Sequence, residues 1–195
     1  MATNHTTNYQ LCQWEATDKV LRTDFNEDNA KIDAALAGLE AQLPLVKLKH
    51  FVLPSTTKSY ALDMDGIVPS DYAALRFAVK STAGIIGPFG LQLNGIETGY
   101  EYDTPSSANP SDADLILLST NSPFISRADL IPLNDMTLFF CDSCFVTEYR
   151  VEGHWIRGVH RTIPYASIQS VALVCLHESN KLAAGTEVTI YGLRY

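Results

Sequence analysis

The acidic side chains Glu97, Glu101 and Asp103 stand close together in the chain, and a pair of carboxylates flanking a sugar bond is what glycoside hydrolysis requires. No other feature of a hydrolase accompanies them, and in a chain with 22 Asp and Glu such a trio is ordinarily solvated surface. The run Cys141-Asp142-Ser143-Cys144 has the spacing of half a zinc site, which a second ligand pair must complete. Cys12 and Cys175 are remote, and only His177 lies near Cys175. The run therefore reads as a tight hairpin, with Asp142 and Ser143 turning and the two thiols facing each other across the strands. All four cysteines are expected to be free. Asp112 and Asp114 alternate in a polar stretch, but calcium takes six or more oxygens. The chain has no Gly-x-Ser-x-Gly elbow and no His-Glu-x-x-His helix, and Gly87-Pro88-Phe89-Gly90 lacks the spacing and lysine of a phosphate loop. An enzyme is not indicated, and no metal or cofactor is expected.

Binding chemistry has better candidates. Sugars present apolar C–H faces ringed by hydroxyls, so aromatic faces beside amides or carboxylates recognise them. Tyr100 and Tyr102, beside the polar stretch 105–114, and His154 and Trp155, at a Glu152-Gly153 turn, are the candidate glycan contacts. Aromatics also serve as core and as subunit interface, and more often so.

The elements that must position these groups follow from composition and patterning. At 195 residues, with 46% apolar and 18% charged residues, the chain supports one well-buried domain plus an extension. A net charge of -8, with 14 scattered Lys and Arg, argues against nucleic acid as a partner. The N-terminus has no cationic region followed by an apolar run, and no apolar stretch approaches bilayer length, so neither a signal peptide nor membrane insertion is expected.

From Pro44 to the end, short β-rich runs alternate with Gly and Pro. Candidate strands are 45–53, 60–64, 75–79, 91–93, 115–118, 138–140, 145–151, 155–159, 171–176 and 188–191, with a helical turn also possible over 70–79. Many short strands without intervening helices predict a mainly β head over 44–195, an antiparallel β-sandwich of jelly-roll type. The segment 105–114, rich in Ser, Pro, Asn and Asp, reads as a long surface loop.

Residues 24–43 carry a different signal. Phe25, Ile32 and Leu39 recur every seven residues, as do Asn29, Leu36 and Leu43, which is the seam of a coiled coil. Asp24 and Glu27 can form a capping box, and Pro44 ends the helix. The flanking positions hold Asp28, Asp33, Ala35, Glu40 and Gln42, so charge selects no partner. A polar Asn29 on the seam is a device that fixes register, and it favours self-association over packing on the chain's own sheet. The five apolar seam residues contribute about 1.5 to 3 kcal/mol each when buried, while association costs roughly 4 to 15 kcal/mol. The head must therefore share the interface. In the polar leader, residues 1–23, Tyr9, Leu11 and Trp14 are placed to dock on a neighbouring surface.

The leader Asn8-Tyr9-Gln10-Leu11-Cys12-Gln13-Trp14-Glu15-Ala16-Thr17-Asp18, running on from Val20 to Asp33, resembles the start of phage and prophage tail proteins of Gram-positive hosts. Leu91-Gln92-Leu93-Asn94-Gly95 with Tyr100, and Ala184 to Gly192, look like the terminal sandwich of the same proteins. The resemblance implies a virion structural protein assembled in the host cytoplasm, typically a homotrimeric tail fibre, tail tip or receptor-binding component. It implies attachment to another virion protein through Tyr9, Leu11 and Trp14, and contact of the head with a host cell-surface glycan. A non-adhesive decoration or adaptor is the alternative, and a glycan-cleaving tail protein a more distant one. Collagen-like triplets and β-helix repeats are missing, so the appendage is expected to be short.

Overall fold

The computed structural model describes residues 2–81, 89–104, 107–113, 116–119, 123–146, 151–176 and 181–195, with backbone alone for 102–104, 107–113, 116–119, 145–146, 151–152 and 154. The chain divides into two compact units, 1–44 and 45–195.

In the first unit a small hairpin precedes a helix. Strands β1 (Asn4–His5) and β2 (Cys12–Gln13) pair antiparallel, with His5 opposite Cys12. The turn between them is closed by Thr6, whose amide donates to the Leu11 carbonyl at 2.8 Å and whose hydroxyl accepts from the Leu11 amide at 2.9 Å. Helix α1 spans Arg22–Gln42. It starts earlier than the Asp24-Glu27 pattern suggests: Leu21 is the N-cap residue, without a side-chain cap bond, so the expected capping box is not formed. Asp24 instead lies inside the first turn, where a carboxylate complements the positive end of the helix dipole.

The second unit is mainly β, with two antiparallel sheets among the described residues. One has eight strands in the order β3 (Leu45–Val52), β14 (Glu187–Leu193), β5 (Ala74–Ser81), β10 (Phe124–Leu133), β11 (Met136–Val146), β12 (Val151–His160), β7 (Tyr100–Thr104), β8 (Ser107–Ala113). The other has four, β4 (Ser59–Leu62), β13 (Val171–Cys175), β6 (Phe89–Leu93) and β9 (Ile116–Ser119). Period-two alternation turns one face of each sheet inward. Leu75, Phe77 and Val79 of β5 and Val188 and Ile190 of β14 share a single buried cluster with Leu91 and Leu93 of β6 and Leu173 of β13. Two close approaches demand glycine. A methyl at Gly158 would overlap the Phe139 ring and the Glu101 carbonyl, and one at Gly192 would overlap the Tyr72 ring.

Several local expectations are corrected. Residues 136–146 form one continuous strand, not a hairpin at Asp142-Ser143. Residues three apart on a strand point to opposite faces, so Cys141 is buried, Cys144 is exposed, and both thiols are free. The β10–β11 turn falls instead at Asn134-Asp135, where Asn134 takes a φ of 50°. Glu152-Gly153 lies inside β12, opposite Phe145 and Cys144. The expected loop 105–114 contributes strand β8, paired with β7 at Tyr100↔Ala113 and Glu101↔Asp112. Pro110 is tolerated there because β8 is an edge strand. Pro132 lies beyond Leu130, where the β5–β10 ladder ends, so no strand on that side needs its missing donor. The turn near Ser70 is a single 3-10 turn, Pro69–Asp71, and β5 follows it.

Candidate functional site

Two surfaces carry the residues singled out by type and spacing. The first belongs to α1. Phe25, Ile32, Leu36 and Leu39 are 42% to 59% exposed and Asn29 is exposed with them, while Leu43, expected to end the seam, is the extended C-cap residue just past the helix and is 54% exposed. Besides Phe25, the leader meets a face about a quarter turn away at 100° per residue, which holds the buried Asp24 and Asp28 and the half-buried Lys31. The Asp28 carboxylate accepts the Cys12 amide at 2.8 Å, and Lys31 donates to the Gln10 carbonyl at 2.6 Å while pairing with Asp28 at 3.5 Å. Burial alone would raise the Asp28 pKa, but the Cys12 and Lys31 contacts outweigh it and hold the carboxyl below its ordinary value. Asp28 thus fastens the hairpin to the helix.

The leader residues divide accordingly. Trp14 stacks on Phe25, with ring centroids 5.0 Å apart and planes at 29°, so it docks on its own helix. Leu11 is half-buried, and Tyr9 is exposed. Asp18 closes the leader by accepting from the Thr3 amide and hydroxyl and the Glu15 amide, and these bonds hold its pKa down.

The second surface is the outward face of the eight-stranded sheet. Registers place Asp129, Phe140 and Arg157 in one cross-strand row, Arg127, Asp142 and Trp155 in the next, and Ile125, Cys144 and Gly153 in a third. Ile125, Phe140 and Trp155 are exposed, at 62%, 45% and 47%. The charges among them are paired. Arg76 grips Asp129 with two bonds of 2.7 and 2.9 Å, Arg127 bonds Asp142 and lies 3.8 Å from Asp129, and the Arg157 guanidinium sits 5.7 Å from the Trp155 ring centre.

Of the candidate glycan contacts, the structure places only Trp155 on this face, and the side chains of Tyr102 and His154 lie outside those described. Tyr100 is corrected: it is 0% exposed and belongs to the core. Its hydroxyl accepts the Leu93 amide at 2.7 Å and donates to the Ile96 carbonyl at 3.1 Å. Burial pushes its pKa up to about 12. Its ring meets His160 edge-on at 4.5 Å. His160 accepts the Ile163 amide at Nδ1 and donates from Nε2 to the Thr98 carbonyl, which fixes the neutral tautomer. Glu101 is bound through both oxygens by Arg161 at 2.9 Å.

Phe140, Ile125, Arg127 and Asp129 were not candidates on type or spacing. Phe140 lies in the candidate strand 138–140, and the only signal for Ile125, Arg127 and Asp129 is alternation in 124–133, which Ser126 and Ala128 obscure because the inward residues are small. Among the described residues, no three His, Cys, Asp or Glu gather into a metal-holding group, and no helix is long and apolar enough to cross a membrane. Comparison with protein-family models, with curated proteins and with solved structures returns no match.

Proposed function

We propose that the chain is a virion structural protein, a short homotrimeric tail fibre or tail-tip component whose β head contacts the host surface. The observation that carries this reading is the α1 stripe: four large apolar side chains at heptad spacing, Phe25, Ile32, Leu36 and Leu39, all exposed in the single chain, with exposed Leu43 following at the C-cap. Copies of the same helix are the occupant its spacing fits, and Asn29 sets their register. The capacity of the leader to fold back on α1 through Asp28 and Trp14 supports a preformed collar, with the exposed Tyr9 available to another virion protein.

The head is read as a jelly roll with an insertion. Strand orders β3-β14-β5-β10 and β4-β13-β6-β9 are those of two interlocked Greek keys, with β11-β12-β7-β8 extending the first sheet. That architecture recurs in capsid and lectin domains, and the analogy is one of fold. Host contact is assigned to the outward face around Trp155, with a cell-surface glycan as its ligand. The test is attachment: the full-length protein should label host cells, and Trp155→Ala should lose labelling while keeping its assembly mass. Wild-type protein that leaves cells unlabelled yet is incorporated into particles would replace this reading by a non-adhesive decoration or adaptor.

A further inference from the structure

The geometry points to Trp155 as the stacking platform for an uncharged pyranose, a subsite that rests on the host-contact reading and gives its ligand a chemical class. The outward positions along β12 run Gly153, Trp155, Arg157. Arg157 lies over the indole from one side. On the other side stands Gly153, exposed and without a side chain, and its cross-strand neighbour is the small, exposed Cys144. The indole is therefore bordered by bare sheet about two strands wide, at roughly 4.8 Å per strand, which admits a flat six-membered ring. Its C–H face would lie on the indole. Asp142 is directly across from Trp155, and its Oδ2 is taken by Arg127. Its Oδ1 is then the acceptor for a sugar hydroxyl.

Charge decides the class. Arg76 is held by Asp129, Arg127 by Asp142 and Asp129, and Arg157 has partners of its own. Among the described residues, each arginine named on this face already has a partner, so a sulfate, phosphate or carboxylate on the sugar would have to compete for it. The chain's net charge of -8 repels such polymers further. A neutral sugar meets neither obstacle.

The experiment titrates the full-length protein with maltohexaose, cellohexaose, chitohexaose and a galactan oligomer, against hyaluronan and dextran sulfate as anionic counterparts. The chain has two tryptophans, so Trp14→Phe leaves Trp155 as the sole reporter, and calorimetry on the wild type provides the same reading if that change disturbs the leader. At least one neutral oligomer should give a saturable change in Trp155 emission, insensitive to salt between about 0.05 and 0.5 M. Trp155→Ala should abolish binding, and Gly153→Val, which fills the bare side of the indole, should weaken it tenfold or more. The proposal is overturned if no neutral oligomer binds, if only the anionic polymers do, or if Trp155→Ala binds normally. Solution mass on the same samples separates the outcomes: unchanged assembly without sugar binding sinks this subsite and leaves the oligomer reading standing.

Discussion

Tyr100→Phe removes one oxygen atom from the head and leaves its packing intact. In the wild type that oxygen accepts the Leu93 amide at 2.7 Å and donates to the Ile96 carbonyl at 3.1 Å. The substitution strands a buried N–H at the end of β6 and a carbonyl in the following loop. Leaving a buried polar group unpaired costs about 1 to 3 kcal/mol, and each kcal/mol moves the melting temperature of a domain this size by about 2 to 4 °C. Tyr100→Phe should therefore melt about 2 to 12 °C below the wild type by calorimetry at pH 7, with sugar binding and assembly mass unchanged. Alkaline titration gives a second reading of the same environment. The folded pKa of Tyr100 is raised to about 12 from an ordinary value of 10, so the neutral phenol is the form the fold prefers. Its contribution is whole below pH 10 and is lost as pH rises from 10 toward 12. Tyr100→Phe should lose less stability than the wild type across that window. A variant that melts with the wild type, or one that loses cell attachment without losing stability, would refute the assignment of Tyr100 to the core.

Three further outcomes follow from the packing of the same fold. Gly158→Ala drives a methyl into the Phe139 ring and the Glu101 carbonyl, an overpacking that should cost about 1 to 3 kcal/mol in urea unfolding; a neutral result would mean that β7 and β12 are not paired as described. Burial lowers the folded pKa of His160, so stability should be full above the ordinary value of 6.5 and should fall as pH drops below it toward the folded pKa. Comparing wild type with His160→Gln from pH 8 to 5 isolates that loss, and parallel profiles would contradict it. Asp28→Ala should speed hydrogen exchange at Cys12 and loosen the leader, whereas Asp28→Asn retains an acceptor and should preserve much of the protection; equal exchange in all three proteins would show that the clasp does not hold.

Much of the architecture was legible because the inward residues are large. Leu75, Phe77 and Val79, and Val188 and Ile190, announce their strands by alternation, and Pro44 marks the end of the helical pattern. The misses share a different cause. Strand β10 hides because its inward side carries Ser126 and Ala128 while its outward side carries Arg127 and Asp129, whose partners come from β5 and β11. Asp142-Ser143 and Glu152-Gly153 have turn chemistry, yet β10 and β12 hold the first in an extended ladder and β11 holds the second, a case of tertiary pairing overriding local preference. The capping pattern at Asp24 failed because Asp24 is buried within the first turn, which no local motif encodes. Of the site, Trp155 was legible from its type alone. The paired charges around it depend on register across four strands, and register is not visible in any one of them.

The stripe on α1 bears the central claim, and the mass of the full-length chain in solution tests it most directly. Sedimentation equilibrium at micromolar concentration should give three times the 21.5 kDa chain mass. Leu36→Lys should reduce it to a single chain with the β signature of its circular dichroism retained. A wild-type protein that sediments as one chain, or a Leu36→Lys variant that still assembles, would contradict the account.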